Sequence, residues 1–178
     1  MKYIGILIMA ASLIAAGFTA ANGLKDRMEL LFLFHRMILN MKGQILYSND
    51  TLPQAMKKIG EDYAKDRTGI SKEIPEFFLR IVSRLEKEPG NSLPGIWKAE
   101  IERISEKLPL AEADKNALLA LGENLGCADR ETQERTFLFY LKQTEDAMEG
   151  LKRDMERKGR LYRCLGMSAG LLLMIVLA

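Results

Sequence analysis

The sequence predicts an all-α protein: an antiparallel bundle of about six helices flanked by an N-terminal and a short C-terminal transmembrane helix. Three observations predict it. Apolar residues recur three and four apart in every segment between turn signals, with no strand-like alternation of any length. Residues 3–21 carry no charge, and neither do residues 164–178. All 24 acidic residues and 25 of the 26 basic ones lie between those runs, since only Lys2 falls outside. That reads as three parts: a membrane helix over 1–21, a cytoplasmic bundle over 22–163, and a membrane-inserted segment over 164–178.

Nineteen uncharged residues approach the ~20 that cross a bilayer core. A cleaved signal peptide is the competing reading, with Thr19-Ala-Ala21 as a poor cleavage site. The second run, fifteen residues, spans roughly 22 Å at the α-helical rise. It is a thin span or an in-plane segment, and Leu161 and Tyr162 extend it if Arg160 and Arg163 snorkel to the interface. Lys25, Arg27 and Arg36 follow the first run, and six bases from Lys152 to Arg163 precede the second. The flanking bases place the middle in the cytoplasm.

The first soluble helix continues from the membrane segment. Leu24, Met28, Leu31, His35, Ile38 and Ile45 give its seam, and Phe32, Leu39 and Leu46 widen it. His35, the one histidine, reads as a core or interface residue because no partner cluster accompanies it. Ser48-Asn-Asp-Thr51 ends this helix. The second starts at Thr51-Leu-Pro53 and buries Leu52, Ala55, Met56, Ile59 and Tyr63. Ser71 caps the third, whose stripe is Ile74, Phe77, Phe78, Ile81, Val82 and Leu85. Ser92-Leu-Pro94 opens the fourth, carrying Leu93, Ile96, Trp97, Ile101, Ile104 and Leu108 inward until Pro109 stops it. Trp97 reads as a core anchor, with a surface hot spot as the sharper alternative.

The fifth helix runs over Ala111–Leu125 and the sixth begins at Asp129. Between them Gly126 is expected to take the left-handed conformation that ends a helix, and Asp129 to cap the next one. Phe137, Leu141, Thr144, Met148, Leu151 and Met155 then form a heptad seam, for a bundle neighbour or a second copy. Glu123 to Arg130 is a candidate contact surface on a loop held by a rigid scaffold, against plain packing and termination by Gly122 and Gly126.

Little chemistry is in view. There is no phosphate loop, no paired-histidine motif and no nucleophile–base set, so neither an enzyme nor a cofactor is expected. The near-neutral middle offers no charge signature for nucleic acid. Cys127 and Cys164 have neither metal nor disulfide-framework spacing. The bases before the second run suit lipid headgroups. A membrane-anchored enzyme whose site forms only on assembly is the reading from another class.

Gly122-Glu-Asn-Leu-Gly-Cys-Ala-Asp129 resembles the turn of the F-type inner-membrane platform proteins of type II secretion and type IV pilus systems. The whole chain is more similar to the stage III sporulation protein AB family, with its cap-Leu-Pro helix starts. The turn matches through Leu121-Gly122, Leu125-Gly126, Asp129-Arg130-Glu131 and Gln133, and the second motif is Gly159-Arg-Leu-Tyr-Arg-Cys-Leu-Gly166. The resemblance implies a non-enzymatic platform of the sporulation channel in the membrane between mother cell and forespore. Its implied partners are the bilayer, a secretion ATPase like stage III sporulation protein AA, other channel proteins and, as a homo-oligomer, further copies of itself. It implies a contact or turn motif at Gly122, Glu123, Gly126, Asp129 and Arg130. A platform for another secretion or pilus machine is the alternative. Unlike the larger platform proteins, with their two bundle domains, this chain carries one.

Overall fold

A computed structural model describes residues 23–48, 50–65, 72–88, 90–126 and 129–158 in full, and only the helical backbone over 2–22 and 159–177. The apolar segments expected in the membrane, 3–21 and 164–178, lie outside the fully described residues. Among the described residues no helix is long and apolar enough to cross a membrane.

Six helices and no strand are present among the described residues. They are α1 (Lys2–Tyr47), α2 (Leu52–Ala64), α3 (Glu73–Lys87), α4 (Leu93–Ser105), α5 (Glu112–Leu125) and α6 (Arg130–Leu177). The chain divides into two units: Asp26–Met148 is the bundle, and Met1–Lys25 with Glu149–Ala178 form the other.

In the bundle, helices adjacent in sequence pack on one another, α2 on α3, α3 on α4 and α4 on α5. Their starts follow local chemistry. The Thr51 N–H donates to the Gln54 side chain at 3.0 Å, and Ser92 Oγ accepts from Gly95 N–H at 3.4 Å. Pro53 and Pro94 each occupy a first turn, where the missing N–H costs nothing. Ser71, expected to cap α3, is not among the described residues; Lys72 stands at that helix's N-cap. Helix α4 stops at Ser105, short of the expected Leu108. Pro109 disfavours helical geometry at the residue before it, and the Ile104 carbonyl accepts from both Lys107 and Leu108 N–H in a tightened last turn.

Four rings form the centre. Phe77 lies 5.0 Å from both Phe78 and Trp97 between centroids, and Phe34 lies 6.1 Å from Phe77, all edge to face. That geometry sets each ring's positive edge against a neighbour's negative face. Leu30, Leu33, Phe34, Met37, Ile38 and Met41 carry α1 into this core. The predicted face of α1 was therefore rotated: Phe32 and Leu39, expected to widen the seam, are 56% and 48% exposed. Gly60 lets α2 lie close on α3, because a Cβ there would meet Leu79 at 2.7 Å.

The seam of α6 is partly spent inside the bundle. Phe137 and Leu141 belong to the core and Thr144 is buried, with its hydroxyl donating to the Tyr140 carbonyl at 2.8 Å. That stretch is not free for a second copy of the chain.

Candidate interaction site around the central turn

The α5–α6 turn is built from side chains close in sequence and from two remote groups, the Trp97 indole and the Leu46 carbonyl. Asp129 caps α6 as expected, accepting from the Thr132 N–H at 2.9 Å, the Thr132 hydroxyl at 2.5 Å and the Glu131 N–H at 3.3 Å. These donors stabilise the charged form, led by the Thr132 hydroxyl, and hold the Asp129 carboxyl below its ordinary range.

Gly126 differs from expectation. It sits at φ −78° and ψ −3°, in the right-handed region. One of the orphan carbonyls at this helix end is taken by a side chain: Gln133 donates its amide to the Leu125 carbonyl at 3.1 Å. A Cβ on Gly126 would meet only Pro94, at 3.7 Å, an ordinary contact.

Gly122 is the glycine the packing demands. A Cβ there would stand 2.0 Å from Cδ1, 2.3 Å from Cγ and 2.5 Å from Nε1 of Trp97. The indole lies against the α5 backbone and donates its N–H to the Leu118 carbonyl at 2.7 Å. Trp97 is thus the core anchor, not a surface hot spot.

Arg130, expected on the contact surface, donates through Nη2 to the Leu46 carbonyl and so satisfies an orphan acceptor at the C-terminal end of α1. Of the five motif residues, Gly122, Asp129 and Arg130 hold the fold. All of them but Gly122 are exposed.

Sequence reasoning missed two features. Arg27 grips Asp114 through Nε at 2.7 Å and Nη2 at 2.9 Å, joining α1 to the start of α5, while the Ala111 N–H donates to the same carboxylate at 3.0 Å. Eighty-seven residues separate the pair, beyond any local pattern. The second is an apolar ridge. Lys42 pairs with Glu134 at 3.7 Å, and His35 Nε2 stands 3.9 Å from Glu145, so the stretches 35–42 of α1 and 134–145 of α6 run side by side in opposite directions. Leu39 lies between the α1 partners and Leu138, 50% exposed, between those on α6. Phe32 extends the ridge two turns along α1. Exposed large apolar side chains gathered on one groove mark a contact surface more often than scattered ones do.

His35 has its Nδ1 buried and without a hydrogen-bond partner. Among the described residues no group of His, Cys, Asp and Glu could hold a metal ion. Cys127 lies outside the described residues.

The chain is 21% identical over 177 residues to the stage III sporulation protein AB of Bacillus subtilis strain 168, and the match covers 99% of each. A solved structure of a stage III sporulation protein AB superposes with a TM-score of 0.63 at 18% identity, over 74% of this chain and 97% of that one, which shows the shared fold. The family model for stage III sporulation protein AB matches residues 2–178. With that match running through the turn, the bundle and both terminal segments, the chain belongs to the stage III sporulation protein AB family.

Proposed function

We propose that this chain is a non-enzymatic membrane platform of the sporulation channel between mother cell and forespore, and that its bundle docks a cytoplasmic secretion ATPase. The whole-length family match carries the sporulation role. The docking role is supported by one observation: a bundle with a closed aromatic centre leaves Phe32, Leu39 and Leu138 exposed together along the α1–α6 groove. The turn frames the bundle, and the ridge supplies apolar area for a partner to cover.

The test is capture of the secretion ATPase of the same organism by the full chain in neutral detergent. Phe32→Ser/Leu138→Ser should weaken capture at least tenfold while melting changes little, because exposed positions contribute about 0.5 kcal/mol or less. Glu123→Lys should bind as the wild type does. Loss in Glu123→Lys alone would move the docking surface to the turn. Undiminished capture by the ridge variant would refute the ridge, and no capture by wild type would refute ATPase docking.

A further inference from the structure

We propose that the last stretch of α6 before the uncharged run 164–178 is a binding site for the phosphates of anionic phospholipids, with Arg157 and Lys158 as its described contact residues. This rests on the membrane reading above and adds the headgroup class and the register of the contacts.

The bases are available. Lys152, Arg153, Arg157 and Lys158 are all exposed. Each has an acid three or four positions away, among Glu149, Asp154 and Glu156. Earlier on the same helix such neighbours close into ion pairs, Arg135 with Glu131 at 2.8 Å and Lys142 with Asp146 at 2.9 Å. Among the described residues these four close none. The stretch 149–158 holds four bases to three acids, and its exposed bases are open to an external anion.

Register selects two of the four. Lys158 lies six residues before Cys164 and Arg157 seven, so roughly 9 and 10 Å along the axis at the α-helical rise. The headgroup layer is about 5–8 Å thick on each side of the hydrocarbon, and a flexible basic side chain reaches its outer edge. Lys152 and Arg153 lie roughly 18 and 16 Å away, a further Debye length or so into solvent. Arg160 and Arg163 follow in sequence on the membrane side. Lys25, exposed and four positions beyond the first uncharged run, belongs to the same structural unit. Both runs therefore carry a base at the end facing the middle of the chain.

The experiment reconstitutes the full chain in vesicles and measures, with spin-labelled lipids, its preference for phosphatidylglycerol over phosphatidylcholine. Wild type should prefer phosphatidylglycerol. Each base near an anionic surface contributes about fivefold, so Arg157→Gln/Lys158→Gln should reduce the preference by up to about 30-fold. Lys152→Gln/Arg153→Gln should change it less than twofold. A chain that floats with vesicles yet holds both lipids equally overturns the proposal and leaves the membrane reading intact. Equal losses in the two double variants overturn the register, as expected of a helix lying flat. Displacement of the labelled lipid by inorganic phosphate would assign the site to a free anion. A chain that fails to float with phosphatidylcholine vesicles refutes the membrane reading itself.

Discussion

Replacing Gly122 with alanine should destabilise the bundle by about 3 kcal/mol, and the geometry sets the size. The new methyl would lie 2.0 Å from Trp97 Cδ1, which is 1.4 Å inside the 3.4 Å where ordinary contact begins (3.4 − 2.0). Trp97 cannot simply swing away. Phe77 and Phe78 hold its edges, and its N–H is committed to the Leu118 carbonyl. Overpacking a filled core costs about 1–3 kcal/mol, and a broken buried hydrogen bond about 1–3 kcal/mol more. Alanine's better helix propensity returns about 1 kcal/mol. The remainder shifts the midpoint by roughly 10 °C for a domain of this size. Thermal melts of the full chain in neutral detergent, followed by far-UV circular dichroism, read it out. Three comparisons isolate the cause. Gly43→Ala, with nothing within 4 Å of the added carbon, should be neutral or stabilising. Gly126→Ala should fall within about 0.5 kcal/mol of wild type. In a Trp97→Leu background the Gly122→Ala cost should largely vanish, since the two changes share one contact. A Gly122→Ala protein melting at or above wild type would refute the close approach.

Three further outcomes follow from the ion pair, the cap and the buried phenol. Asp114→Ala removes the bidentate acceptor that Arg27 grips in a part-buried site and should cost about 3 kcal/mol in chemical denaturation, mostly recovered by Arg27→Met/Asp114→Leu. The Asp129 carboxyl is lowered in the folded state, so its stabilisation is complete above the unfolded value near 3.9 and is lost as pH falls through the folded one. The stability gap between wild type and Asp129→Asn should therefore close on acidification below about pH 4 and be constant from there to neutrality. Burial raises the Tyr140 phenol, so the unfolded chain releases its proton first and stability should decline above about pH 10, with Tyr140→Phe flattening that limb of a pH–stability curve.

The clearest sequence signals were those with contrast. In α3 the apolar residues alternate with charges, and Ile74, Phe77, Phe78, Ile81 and Val82 are all buried as the spacing predicted. In α1 the stretch Leu30-Leu-Phe-Leu-Phe34, with Met37, Ile38, Leu39 and Met41, is apolar at nearly every angle. Periodicity then has little to resolve, and the face was set too far toward Phe32 and Leu39. The turn was legible as a helix stop and an N-cap but not in its detail. Gly126 looked left-handed because glycine at a helix end commonly is, whereas the Gln133 amide, seven residues on, takes a carbonyl there. A glycine inside a helical pattern does hint at close approach, yet only the fold could name Trp97 as the neighbour of Gly122. Arg27 and Asp114 had no local signal at all. The ridge was hidden on the α1 side because Phe32 and Leu39 read as core, and on α6 because Leu138 lies outside the heptad seam.

The Arg27–Asp114 grip also bears on how the chain acquires its shape. Helices α2 to α5 meet their sequence neighbours, so they can assemble with short loop closures. Helix α1 is synthesised first, yet Phe34 awaits the rings of α3, Arg27 awaits a carboxylate 87 residues later, and the Leu46 carbonyl awaits Arg130. Until ribosomes have delivered the start of α6, Leu30, Phe34, Met37 and Met41 have no complete core to enter. The nascent protein therefore passes through a period in which the apolar face of α1 is uncovered, and that interval is when aggregation or a chaperone would compete with folding.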